Sequence, residues 1–91
     1  MNYQVILTAR AEAQLAELWL TAADRAETSW AADAIDRQLK RNPNHAGTLL
    51  FDTVRRLRIP PLVVDYEVID ADRLVNVLRF QLIDSLEDSE S

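Results

Sequence analysis

The period of the apolar residues changes along the chain, and each change marks an element. Residues 2–8, NYQVILT, are rich in β-branched and aromatic side chains and end on Thr8, a capping type, which predicts a strand feeding a helix. From Ala9 to about Ala23, the residues Ala11, Leu15, Leu18 and Ala22 recur at steps of three and four with Trp19 beside them, as on one buried helical face. Asp24 and Glu27 have the spacing of a capping box, and Trp30, Ala31, Ala34, Ile35, Gln38 and Leu39 continue the helical period. Arg37, Lys40 and Arg41 suit the negative end of the helix dipole, and Asn42-Pro43 stops the helix. The pair is expected to form a hairpin with Trp19 and Trp30 in its core.

NPNHAG, residues 42–47, reads as a loop and holds the only glycine. Three strands are expected after it, about Phe51 to Ile59, Leu62 to Ile69 and Leu74 to Phe80, with turns at Pro60-Pro61 and Asp70-Ala71-Asp72. The predicted fold class is α+β, in the order β-α-α-β-β-β, a mainly antiparallel four-stranded sheet with a helical hairpin on one face. Strand alternation turns Leu62, Val64, Tyr66 and Val68 toward the helices and Val63, Asp65, Glu67 and Ile69 away. A tight turn at Pro60-Pro61 pairs Arg58 with Val63 and sets Arg56 opposite Asp65. The last strand has apolar residues on both parities, Leu74, Val75, Val77, Leu78 and Phe80, which predicts a cover on the second face. Val54, Val63, Ile69, Leu78 and Phe80 are the candidate partner-binding residues. The occupants considered are the C-terminal tail, a second copy in a homodimer, and a partner protein.

Ninety-one residues, 48% apolar and 27% charged, fit one small globular domain. The net charge of −5 is uneven: Asp84, Glu87, Asp88 and Glu90 fall in the last ten residues, and without them 10 basic residues face 11 acidic. Residues 1–83 are read as the domain and 84–91 as an acidic, flexible tail. No basic excess of the kind nucleic-acid binding requires is present. The chain has no cysteine and one histidine, His45, which leaves no cysteine or histidine-rich metal site; no metal and no cofactor is expected. His45 reads as an exposed loop residue, because no orienting partner is evident. No apolar run approaches a membrane span and no signal segment opens the chain, so it is read as cytoplasmic.

The remaining chemistry lies in RRLRIPPLVVDYEV, residues 55–68. The opening VILTARAEAQL, the helical hairpin closed by a proline, Arg55-Arg56-Leu57, and LVVDYEVIDADRLVNVL, taken in order from residue 3 to about 83, resemble the RelE/ParE toxin superfamily of type II toxin-antitoxin modules. The resemblance implies either a ribosome-dependent ribonuclease, with basic side chains stabilising charge on the scissile phosphate, or a ParE-like protein that binds its target. Aligned on Tyr66, the family's basic positions fall on Val54, Val63 and Ile83, only Arg56 keeps the charge, and LEDSES stands where a C-terminal tyrosine or histidine is expected. The reading is therefore a toxin-like protein that acts by binding a protein, a cognate antitoxin among its partners, with no confident catalytic residue. One alternative is a messenger-RNA endoribonuclease using Arg55, Arg56, Arg58 and Arg79. The other is a non-toxic orphan interaction protein.

Overall fold

The computed structural model describes residues 2–83. The tail expected at 84–91 lies outside the described residues. Strand β1 (Gln4–Leu7) runs into helix α1 (Ala9–Thr21) through Thr8, whose hydroxyl accepts from the Ala11 N–H at 3.1 Å. Helix α2 (Arg25–Arg41) begins the same way, with the Asp24 carboxylate accepting from the Glu27 N–H at 3.0 Å. Both capping residues thus satisfy an amide that the first helical turn leaves open.

Strands β2 (Thr48–Phe51), β3 (Val54–Ile59), β4 (Leu62–Ile69) and β5 (Leu74–Leu82) complete a five-stranded sheet of order β1-β5-β4-β3-β2. β1 is parallel to β5 and every other pair is antiparallel. The sheet therefore has five strands where the sequence predicts four. The strand expected from Phe51 to Ile59 is β3, and the additional strand β2 lies before it and ends at Phe51, where the chain reverses through Asp52, a non-glycine residue at φ 48°. All four residues of β2 are exposed, so it carries no alternating signal to detect.

Both helices pack on one face. Ala11, Ala31, Ile35 and Leu39 meet Leu57, Leu62, Val64, Tyr66, Val75, Val77 and Phe80 in a single buried cluster. Small alanines at the contact let the helices lie close to a sheet face of β-branched side chains. Trp19 and Trp30, expected in this core, are 39% and 60% exposed. Alanine fills the contact positions, and each tryptophan falls to the side of it. The Trp19 indole donates to Ser29 Oγ at 2.8 Å, with the Arg25 guanidinium over its ring.

A bulge in β5 explains its apolar residues on both parities. Asp65 pairs with Arg79 and Tyr66 with Val77, so Leu78 is the extra residue. Val75 and Val77 face the helices before it, and Phe80 and Leu82 face them after it. The loosened backbone is not left open: Thr8 Oγ1 donates to Leu78 O at 3.4 Å, and the Phe80 N–H donates to Gln14 Oε1 at 2.9 Å. At the opposite end Tyr3, Asn44 and Asp70 form a hydrogen-bonded triad that ties β1 to two loops. Among the described residues no helix is long and apolar enough to cross a membrane.

Candidate functional site

The sheet face away from the helices is built in rows across β3, β4 and β5. One row is Arg56, Asp65, Arg79; the next is Arg58, Val63, Gln81. Alternation along each strand puts these side chains on the face opposite the core. Arg56 Nε donates to Asp65 Oδ1 at 2.7 Å and Nη2 donates to Oδ2 at 3.0 Å, a two-pronged pair. Arg79 Nε approaches Asp65 Oδ2 at 3.7 Å, an ion pair too long for a hydrogen bond. Asp65 is 6% exposed, so its charge sits on a screened floor between two guanidiniums. Hydrogen bonding to Asp65 pushes the Arg56 pKa above the ordinary guanidinium value.

The four arginines grouped by the sequence do not form one site. Arg55 points to the helix side, opposite Tyr66, where Nη2 donates to Gly47 O at 2.7 Å. Arg58 is exposed at the end of β3. Arg56 and Arg79 converge on Asp65 and not on an open space. A phosphate at this row would have to displace a buried carboxylate that already accepts both hydrogen bonds of Arg56.

Of the apolar candidates, Val54 and Val63 are buried on the helix-free face, and Ile69, half-buried, shares it. Phe80 does not: it lies in the core under the helices. Leu78 occupies the bulge. The polar Arg56, Asp65 and Glu67 lie between Val63 and Val54, so the apolar positions are separate spots and not one patch.

Two features escaped the sequence. His45 has an orienting neighbour, Asn42, whose Oδ1 lies 2.9 Å from Nδ1; the sequence marks that asparagine only as the end of a helix. The sheet edge β2 exposes Leu49, Leu50 and Phe51 at 59%, 41% and 61%. Tyr66 is as expected a core tyrosine, its hydroxyl donating to Pro43 O at 2.8 Å. Burial raises its pKa above the ordinary phenol value.

No family model matches the chain, and no curated protein does. Solved structures do match over nearly the whole length. A chain of the toxin-antitoxin complex RelBE2 from Mycobacterium tuberculosis superposes with a TM-score of 0.76 at 20% identity, covering 90% of this chain and 99% of that one. A mutant of the E. coli toxin RelE in the free state gives 0.71 at 16%, covering 99% and 93%. The chromosomal ParDE toxin-antitoxin system of P. aeruginosa gives 0.67 at 15%, covering 89% and 96%. The fold is that of the RelE and ParE toxins of type II toxin-antitoxin systems.

Proposed function

We propose that the chain is a toxin-like protein of a type II toxin-antitoxin module that acts by binding a protein and does not cleave RNA. The observation that carries this reading is the pairing of Arg56 with Asp65. Phosphodiester cleavage needs cations free to meet charge that develops on the phosphate, and here the one basic position that matches the family is already neutralised. The neighbouring position in the next row is Val63, which offers no charge and no proton.

Protein binding is supported by surface the fold leaves apolar and open. The edge strand β2 presents Leu49, Leu50 and Phe51 beside unpaired main-chain groups, a combination that invites another chain. On the helix-free face Ile69, half-buried, is the residue proposed to meet a partner, while Val54 and Val63 are buried there and offer it little surface. A cognate antitoxin is the proposed partner, since the RelBE2 structure with the same fold is a toxin-antitoxin complex.

The test is expression of the chain alone, with growth and messenger-RNA integrity followed together. Purified protein is expected to leave both free RNA and ribosome-bound messenger intact. Removing one electrostatic stabiliser of a transition state costs about 10²–10³ in rate, and the chain lacks several. Cleavage of ribosome-bound message that Arg56→Ala or Arg58→Ala abolishes would overturn this and establish the arginines as a phosphate site.

A further inference from the structure

A second cationic surface lies away from the helix-free face, in a groove of about 920 Å³ between α2 and the end of β3. Trp30, Ala34, Arg37 and Arg41 follow one another at steps of four, three and four, so they line one stripe of the helix, about 16 Å long at 1.5 Å per residue. Arg58 forms part of the far wall with Ile59, and His45 lies between the two walls on the 42–47 loop. Among the described residues no aspartate or glutamate lines the groove. This is the reverse of the arginine row on the other face, where a carboxylate is built in. Among the described residues Arg37, Arg41 and Arg58 have no ion-pair partner, the pairs being Lys40 with Asp36, and Arg56 and Arg79 with Asp65. Trp30 stands 60% exposed at one end of the stripe, without a packing role in the core.

We propose that this groove binds an extended, acidic segment of a partner protein, whose carboxylates meet Arg37, Arg41 and Arg58 and whose apolar side chains cover Trp30 and Ile59. The guanidinium fork matches a carboxylate with two parallel hydrogen bonds, and two such forks, Arg37 and Arg41, stand one turn apart on α2 with Arg58 lining the opposite wall. Charge complementarity names an anionic occupant, and three further observations favour a peptide over a nucleic acid. The chain as a whole carries −5, a field that repels a polyanion at a distance while a few local carboxylates escape most of that repulsion. The lining alternates cationic with apolar side chains, which suits a peptide of mixed character. Finally, β3 runs past its last pairing with β2, at Arg56, so among the described residues the main chain from Leu57 to Ile59 has no strand neighbour on the groove side to compete with an incoming peptide. This inference goes beyond the toxin-like reading and survives its failure, because Arg37 and Arg41 stand on α2 and take no part in the Asp65 row.

The test is binding of a fluorescein-labelled peptide of about eight residues alternating Glu and Leu, long enough to fill the groove at roughly 3.3 Å per residue. The full chain is expected to bind it, more weakly as salt rises, and to move the indole N–H resonance of Trp30 but not that of Trp19. Arg37→Gln with Arg41→Gln should weaken binding by at least about tenfold, while Arg10→Gln, on α1, should not. If the double variant does not fold, Arg58→Gln together with the Trp30 resonance in the parent decides. The proposal is overturned if the Gln-Leu counterpart binds as tightly, if a uridine oligonucleotide of similar length binds more tightly, or if the groove substitutions leave affinity unchanged.

Discussion

Arg56 and Asp65 face each other across β3 and β4 and share two hydrogen bonds, at 2.7 and 3.0 Å, on the sheet face away from the helices. The carboxylate is the less exposed partner, at 8% of its side chain against 23% for the arginine. Removing Asp65 therefore does two things at once. It strands Arg56 beside Arg79, and it opens a gap between two guanidiniums.

Asp65→Asn is expected to lower stability by about 1–3 kcal/mol, less than for a fully buried pair because Arg56 retains access to water. The same variant should gain more stability from added sulfate than the parent, whose gain is only the general effect of the salt, as the anion replaces the lost carboxylate. Urea midpoints with and without sulfate measure both effects. A variant as stable as the parent and no more responsive to sulfate would show that the pair holds nothing together.

That pairing is legible in the sequence, since a tight turn at Pro60-Pro61 fixes the register of β3 on β4 and so sets Arg56 against Asp65. Thr8 and Asp24 were equally readable, because a cap is a local event that depends on residues three apart. The misses share a physical cause, which is that long-range packing decides them. Nothing local says that Leu78 is the extra residue of a bulge, a choice made by Thr8 and Gln14 taking up its backbone groups from nearly 70 positions away. Nor does helical period distinguish Trp30 from Ala31, one buried and one exposed on adjacent positions of α2. The cationic groove is invisible for the same reason: along the chain Arg37 and Arg41 are a dipole complement and Arg58 is part of a strand, and only the packing of α2 beside the end of β3 brings them together.

Ile35 and Leu15 separate the two kinds of apolar helix position. Ile35 is 2% exposed under the sheet, whereas Leu15 is half-buried and borders an open apolar groove on the outside of the hairpin. Ile35→Ala should cost about 2–5 kcal/mol through lost burial and a cavity. Leu15→Ala should cost clearly less, because solvent and the neighbouring Trp19 side chain can fill the space. Equal shifts in the two urea midpoints would mean that α1 is as deeply packed as α2.

Gly47 has no freedom to change, and the reason is space, since its φ is not positive. A Cβ at this position would lie 2.2 Å from Arg56 O and 2.8 Å from the same carbonyl carbon. Both atoms are backbone of β3, so relief requires moving the strand and with it the Arg55 bond to Gly47 O. Gly47→Ala is expected to destabilise by about 1–3 kcal/mol. Thermal melts that coincide with the parent's would place the loop farther from β3 than the geometry does.

Tyr66 ties the pH dependence of the fold to one buried hydroxyl. It donates to Pro43 O at 2.8 Å, both residues being fully buried, and burial raises its pKa above the ordinary 10.0. A phenol with a raised folded pKa contributes stability that is fully present below the unfolded value and is lost as pH rises through the folded one. The parent should therefore lose stability above about pH 10, with the Tyr66 tyrosinate absorbance appearing together with unfolding. Tyr66→Phe should cost about 1–3 kcal/mol at neutral pH, because the Pro43 carbonyl is left buried without its donor. The same substitution should flatten the alkaline slope, leaving only the part due to Tyr3, whose pKa is raised by its hydrogen bond to Asp70. An alkaline transition as steep in Tyr66→Phe as in the parent would assign it to another group and refute the role given to this hydroxyl.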